Sequence, residues 1–419
     1  MRRILIILLI ILLVGTGVWY FYVKPRQASG VSPVPNILKP FFPVSTTTSG
    51  SFGTVPGTIG GVGTSNSTSP SAAVPAFKQL TAFPVAGYSV FTTSSQVSIP
   101  SADPKAKPTV QTVTDNYLDY VSRNNGYVYE IKNNAIALQV TNIFIPNIYE
   151  AYFADNNTTA ILRFLRSDDR TIASYSTPIP SANNDGSRTQ EAGTYLPDNI
   201  FDMAISPDQT QVADITTDKT GAILSTSTSV GTKIKTLIRS PFTEWIPLWA
   251  GNTLYLQTKA ASIADGFLYS VDSTDARLER IVGNIPGLTA SVSPSGTYVL
   301  YSASTLNGFT TSLLDTKTNA TTQINLSILP EKCAWMADEN LICAGNNTVP
   351  SAVYPDAWYA GTIHFSDQLY EINTVSNTYT VLYDGQGQSF DMTNLQLNEN
   401  QQMLYFIDKS SGLLWQFNY

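Results

Sequence analysis

The chain has 419 residues and a formal net charge of −7, with 13% charged residues and one His. All 31 acidic residues lie at or beyond Asp103, while five of the 24 Lys and Arg precede residue 76, so the body from 76 onward carries a net charge near −12. An acidic, sparsely charged body repels phosphates, which excludes nucleic acid as a partner and suits an extracytoplasmic β-rich protein.

Met1-Arg2-Arg3 opens the sequence, and Ile4 to Val23 follows without a single charge. That run is long enough to cross a bilayer as a helix. Trp19, Tyr20 and Tyr22 stand at its far end, where amphipathic rings favour the headgroup region. A cleaved signal peptide needs small residues before its cut, but Gly17 is followed by Val-Trp-Tyr-Phe-Tyr-Val. Residues 1–26 therefore read as an uncleaved, single-pass signal anchor. Arg2, Arg3 and the terminal amine outweigh Lys24 and Arg26, which puts the N-terminus in the cytoplasm and the body outside.

Residues 27–75 are rich in Pro, Gly, Ser and Thr. They cannot bury enough apolar surface to offset chain entropy, so they read as a disordered linker. As a flexible coil this segment spans roughly 40 Å. One apolar island, Asn36 to Val44, interrupts it.

From residue 76 to 419 short apolar runs alternate with Pro, Gly, Asp and Asn. Leu288–Gln323 is the clearest unit: LTASVSPSG, TYVLYSAS, FTTSLLD and TTQI are four strands separated by turns. Phe201–Ile238 has the same form. Four strands every forty-odd residues is the period of a β-propeller blade. Seven such units follow one another. The second hides its fourth strand near Gly193–Leu196, inside an irregular stretch, Ser181–Asn199. The seventh has three strands, and a spare strand, Phe77–Phe83, stands before the first unit. Joining the two closes the ring and removes two exposed edges. The fold class expected is thus all-β: a seven-bladed propeller with an N-terminal strand completing the last blade, preceded by a transmembrane helix and linker.

The turns Ser206-Pro-Asp-Gln and Ser293-Pro-Ser-Gly, each between two apolar strands, resemble the SPDG turn of PD40-type, WD40-like repeats. The resemblance is to TolB-type propellers. It implies a fold and a habit of binding proteins or peptides, and it carries over no partner. The α/β domain that precedes the propeller in those proteins has no counterpart here.

Catalytic signatures are missing from the sequence. Nucleophilic catalysis needs a base, usually His, and His364 is the one His. There is no G-x-S-x-G elbow, H-E-x-x-H pair or phosphate-binding glycine loop. Oxygen-rich runs at 155–158, 183–186 and 272–275 match no complete Ca²⁺ loop and read as turns. No cofactor or metal is expected. Cys333 and Cys343 lie on consecutive strands of the sixth unit. A three- or five-residue loop centred on Asp338 puts them opposite each other in bridging range, and a four-residue loop puts them on opposite faces.

Function then rests on loops carried by a rigid ring. Three are long: Ser94–Pro108, Ser181–Asn199 and Asn346–Ser366. The first two are polar. The third holds Tyr354, Trp358, Tyr359 and His364, residue types found in binding hot spots and sugar-stacking platforms. These four are the candidate binding residues; a loop folded inward as a plug is the competing reading. The function expected is a membrane-anchored interaction or scaffold module for an envelope or surface protein or peptide. The alternative is a carbohydrate-binding or glycan-processing propeller.

Overall fold

The computed structural model describes residues 77–99, 109–183 and 185–419; the expected membrane helix and linker lie outside the described residues. A short strand comes first, β1 (Phe77–Gln79). Blade 1 is β2 (Val85–Ile99), β3 (Thr109–Ser122), β4 (Val128–Lys132) and β5 (Leu138–Gln139). Blade 2 is β6 (Glu150–Ala154), β7 (Thr159–Leu165), β8 (Ile172–Pro178) and β9 (Thr194–Tyr195). Blade 3 is β10 (Asp202–Ile205), β11 (Val212–Asp218), β12 (Gly221–Ser227) and β13 (Lys235–Ser240). Blade 4 is β14 (Trp245–Ala250), β15 (Thr253–Thr258), β16 (Asp265–Asp272) and β17 (Arg277–Pro286). Blade 5 is β18 (Thr289–Val292), β19 (Tyr298–Thr305), β20 (Gly308–Asp315) and β21 (Ala320–Ile324). Blade 6 is β22 (Cys333–Trp335), β23 (Asn340–Gly345), β24 (Gln368–Asn373) and β25 (Thr378–Tyr383). Blade 7 is β26 (Met392–Asn398), β27 (Met403–Asp408) and β28 (Leu414–Asn418), with β1 as its fourth strand.

Each blade is a four-stranded antiparallel sheet, and the first strands of neighbouring blades touch: β2 meets β6 and β26, and β10 meets β6 and β14. One sheet face alone cannot stay dry, so each blade buries its apolar residues against the next. Every one of the seven seams has its own apolar cluster. Ala213, Ile215, Leu254 and Leu256 join blades 3 and 4. Tyr88, Leu118, Tyr405 and Leu414 join blade 1 to blade 7 and complete the ring. Where first strands come closest only glycine fits: a Cβ on Gly87 would lie 2.1 Å from the Ala151 carbonyl oxygen.

The Ser-Pro turns recur for a visible reason. Ser206 Oγ accepts from Gln211 N (3.0 Å) and donates to Asp208 Oδ1 (2.6 Å), while Gln209, at φ +58°, donates its backbone N–H to Ser206 O. Ser293 Oγ likewise accepts from Tyr298 N at 3.0 Å. The serine closes the turn from its first position, and the fourth takes the left-handed backbone.

Two expectations change in detail, and the hidden strand of blade 2 holds. The closing strand is shorter than Phe77–Phe83, because the ladder gives way after Gln79 to single bonds, Leu80 N to Leu414 O and Leu414 N to Thr81 Oγ1. The hidden strand of blade 2 is the two-residue β9. Ser94–Ile99 is no loop: it continues β2 and pairs with the start of β3, Ser94 opposite Thr114 and Ser98 opposite Val110. Thr and Val in 92–97 and 109–114 supply β-branched, pairing-competent residues, and the remaining 100–108 lie outside the described residues. In blade 6, Trp335 pairs with Leu341 and leaves a five-residue loop, 336–340. Cys333 therefore stands opposite Cys343, with Cα atoms 4.1 Å apart, and the two form a disulfide.

Candidate functional site

The insertion between β23 and β24 folds inward. A four-residue helix, α1 (Asp356–Tyr359), forms its middle. Tyr354 and Trp358 are buried and pack with Phe309, Leu329 and Phe365. The expected patch of exposed rings is therefore corrected: about 150–250 Å² of surface on each aromatic ring is better removed from water than displayed, and the fold offers a dry recess on blades 5 to 7. Tyr359 is half-buried and its hydroxyl donates to Glu331 Oε1. His364 alone stays open, at 39% side-chain exposure, with Nδ1 3.5 Å from Asp391 Oδ2 and 3.4 Å from Ser410 Oγ. Ser262 N donates to Asp356 Oδ2 (2.8 Å) and Ser304 Oγ donates to Tyr354 O, so the plug also ties down blades 4 and 5.

Beneath the plug lies a group of buried charges not singled out in the sequence: Lys332, Asp367, Asp391 and Lys409. Each sits at a strand end. Lys332 precedes β22, Asp367 precedes β24, Asp391 precedes β26, and Lys409 follows β27. Lys332 Nζ is 2.8 Å from Asp367 Oδ2 and 2.6 Å from Asp391 Oδ1. Trp358 Nε1 donates to both Asp391 oxygens, at 3.1 and 3.0 Å. Lys409 Nζ donates to Trp358 O and lies 4.0 Å from the indole centroid.

Burial opposes the charges of Lys332, Asp367 and Lys409, and the partners decide the outcome. Burial pulls the Lys332 ammonium down, but Asp367 and Asp391 outweigh it and leave its pKa above the usual lysine value. Burial pushes Asp367 up to about 6 despite Lys332. Burial brings Lys409 down to about 8. Two cations matched by two carboxylates, sealed under an indole, form a staple between blades 6 and 7 and the plug. Removing one partner of such a set is far costlier than the net worth of the set. The sequence carries little sign of it, because Lys332, Asp367, Asp391 and Lys409 are scattered over 78 positions and share no motif.

The feature that stands out from the ring is on blade 1. The third strand of that blade, β4, pairs with β3 only as far as Tyr117 opposite Lys132. Beyond this point β2 and β3 pair with each other and with no other described strand, from Thr93 opposite Asp115 to Ser98 opposite Val110. At about 3.4 Å per residue the two-stranded arm reaches roughly 20 Å past the sheet. Its residues 92–98 and 110–114 are exposed. Val97 and Val113, at 46% and 37% exposure, share one face, because their cross-strand partners Gln111 and Ser95 alternate with Thr112 and Gln96. The arm joins first and second strands, whereas the plug joins second and third, so strand alternation places them on opposite faces of the ring.

Among the described residues no three His, Cys, Asp or Glu stand together in a way that could hold a metal ion. The runs at 155–158 and 272–275 satisfy themselves as turns, with Thr274 N bonded to Asp272 Oδ1 (2.8 Å) and Asp155 Oδ2 accepting from Ser229.

No protein-family model matches the chain, and no curated protein is similar to it in sequence. Several solved propellers are similar in structure. YCF48 bound to D1 peptide is 9% identical, with a TM-score of 0.46, covering 84% of this chain and 97% of its own. The β-propeller domain of Cps50 (Swd1) from Myceliophteria thermophila is 12% identical, with a TM-score of 0.45 over 72% of this chain and 93% of its own. TolB from Acinetobacter baumannii is 8% identical, with a TM-score of 0.38 over 79% and 80%. The seven four-stranded sheets make the chain a seven-bladed β-propeller.

Proposed function

We propose that the chain is a protein-interaction module of the cell envelope or surface, which extends the blade 1 arm to an extended segment of a partner protein. The carrying observation is the arm itself: two strands whose outer edges no described strand covers, exposed Val97, Val110 and Val113, and neither a charged residue nor Pro among residues 92–99 and 109–114. Free edges are usually blunted by charge, Pro or a covering element, because they recruit other strands. An edge left clean is suited to strand addition, in which main-chain bonds give affinity and alternate side chains give specificity.

In this reading the propeller is held outside the membrane by Ile4–Val23, with the N-terminus in the cytoplasm and residues 27–75 as the tether. The Cys333–Cys343 disulfide supports that placement, since such bonds persist in oxidising compartments. The carbohydrate reading loses its stacking platform, because Tyr354 and Trp358 are inside the fold. Replacing residues 94–114 by Asn-Gly tests the proposal. The trimmed chain should melt with the parent and lose its cross-linked partner complex in cells. A trimmed chain that melts with the parent and retains the complex would overturn it.

A further inference from the structure

A cavity of about 120 Å³ opens between blades 2 and 3. One water needs roughly 10–15 Å³ on this measure, so the space admits a group several heavy atoms long. Its walls include Leu196 and Val212, both buried, with Ile234 at the rim at 61% exposure. Into it faces Asp214, 9% exposed, whose carboxylate makes no hydrogen bond to any described residue. Buried carboxylates are ordinarily paired, and an unpaired one calls for an explanation. No neighbouring charge relieves it: burial alone pushes its pKa up to about 6.

The register shows what surrounds the carboxylate. Asp214 stands directly opposite Ser225, and Val212 opposite Ser227, so both serines share its face of the sheet. Ser227 Oγ donates to Thr228 O at 3.1 Å, which leaves that oxygen free to accept. Asp214, Ser225 and Ser227 thus line the cavity from one face of the sheet, beside Leu196 and Val212. An alkylammonium head has three N–H donors and no acceptor, and its stem is apolar. A divalent metal would need more anionic oxygens than this single carboxylate supplies.

We propose that this cavity is a binding site for an alkylammonium group, either a free primary amine or the lysine side chain of a partner chain, with Asp214 as counter-charge and Ser225 and Ser227 as acceptors. Binding gives a partner to a buried carboxylate that has none among the described residues, and Leu196, Val212 and Ile234 take the methylenes.

The test is a ligand-observed NMR titration of the full-length chain at about pH 7.5, where Asp214 is ionised. The probes are n-butylammonium chloride, n-butanol, a short Gly-Lys-Gly peptide blocked at both ends, and the same peptide with acetylated lysine. Saturable binding of n-butylammonium or the lysine peptide is expected, without competition from n-butanol or the acetylated peptide. Asp214→Asn should weaken it by about tenfold or more, and Ser227→Ala by less. Circular dichroism establishes that both variants fold. A lysine peptide that binds about tenfold more tightly than n-butylammonium identifies the source as a partner's lysine, and equal affinities identify a free amine. Undiminished binding by folded Asp214→Asn, equal competition by n-butanol, or no saturable binding by the parent would each overturn the proposal.

Discussion

Phe77 stands opposite Phe417 in the register that joins β1 to β28, with ring centroids 4.6 Å apart. The same ring lies 4.8 Å from Tyr383 and 4.9 Å from Phe390, so one side chain at the start of the propeller holds residues of blades 6 and 7 at its end. Phe77→Ala should cost about 2–3 kcal/mol in urea denaturation, below a fully buried phenylalanine because the ring is only partly covered. Deleting residues 77–83 should cost more, since it also bares the edge of β28. An unchanged melting temperature in the deletion would refute closure by β1.

Trp358→Ala should behave as a core mutation. The indole fills the recess under the plug and donates to Asp391, so its loss should cost about 3–5 kcal/mol, read as a lowered denaturation midpoint. Trp358→Phe keeps most of the packing and removes the N–H, and should cost about 1–2 kcal/mol. Equal midpoints for parent and Trp358→Ala would mean that the indole lies outside the core.

The ring was legible in the sequence and the site largely was not. Strand period, Ser-Pro turns and the spare strand at Phe77 are local signals, and each survives as a strand or turn in the fold. Aromatic residues in a long loop are ambiguous, because Trp358 has the same composition signal whether it faces a partner or Leu329. What decides is the recess lined by Phe309, Leu329 and Phe365, which only the assembled blades create. The arm was missed for a different reason. Ser94–Ile99 is mostly polar, which suggests a loop, while Val97 and Ile99 two apart, and the run Thr112-Val113-Thr114, are the β-branched signal of pairing.

Lys332→Met should leave Asp367 and Asp391 buried without their cation, with a loss of about 3–5 kcal/mol at pH 7. The loss should shrink on acidification. Asp367 already sits near 6, and without Lys332 it rises further, so protons can replace the missing charge as pH falls below that value. Urea midpoints of parent and variant at about pH 5 and pH 7 measure this. A pH-independent difference would mean that the carboxylates are not held by Lys332.

Asp214→Asn should raise stability at pH 7. The parent carboxyl titrates at about 6 in the fold against an ordinary value near 3.8, so the folded state binds more protons between those values. Parent stability therefore falls as pH rises through that window, and the full penalty is present above it. Asparagine does not titrate. The variant should gain on the order of 2 kcal/mol relative to the parent between about pH 4 and pH 7, read from paired chemical denaturations. A difference that stays flat or changes in the opposite sense would show that Asp214 is solvated.

The most direct measurement is photo-crosslinking in cells from single positions of the full-length chain. A crosslinking amino acid at Val97 or Val110 samples the arm, and one at Ile263, 96% exposed in the loop between β15 and β16, samples the opposite face. The account predicts a discrete higher-mass adduct from positions 97 and 110 and none from 263. An adduct from 263 with none from the arm, or no adduct from any of the three, would contradict it.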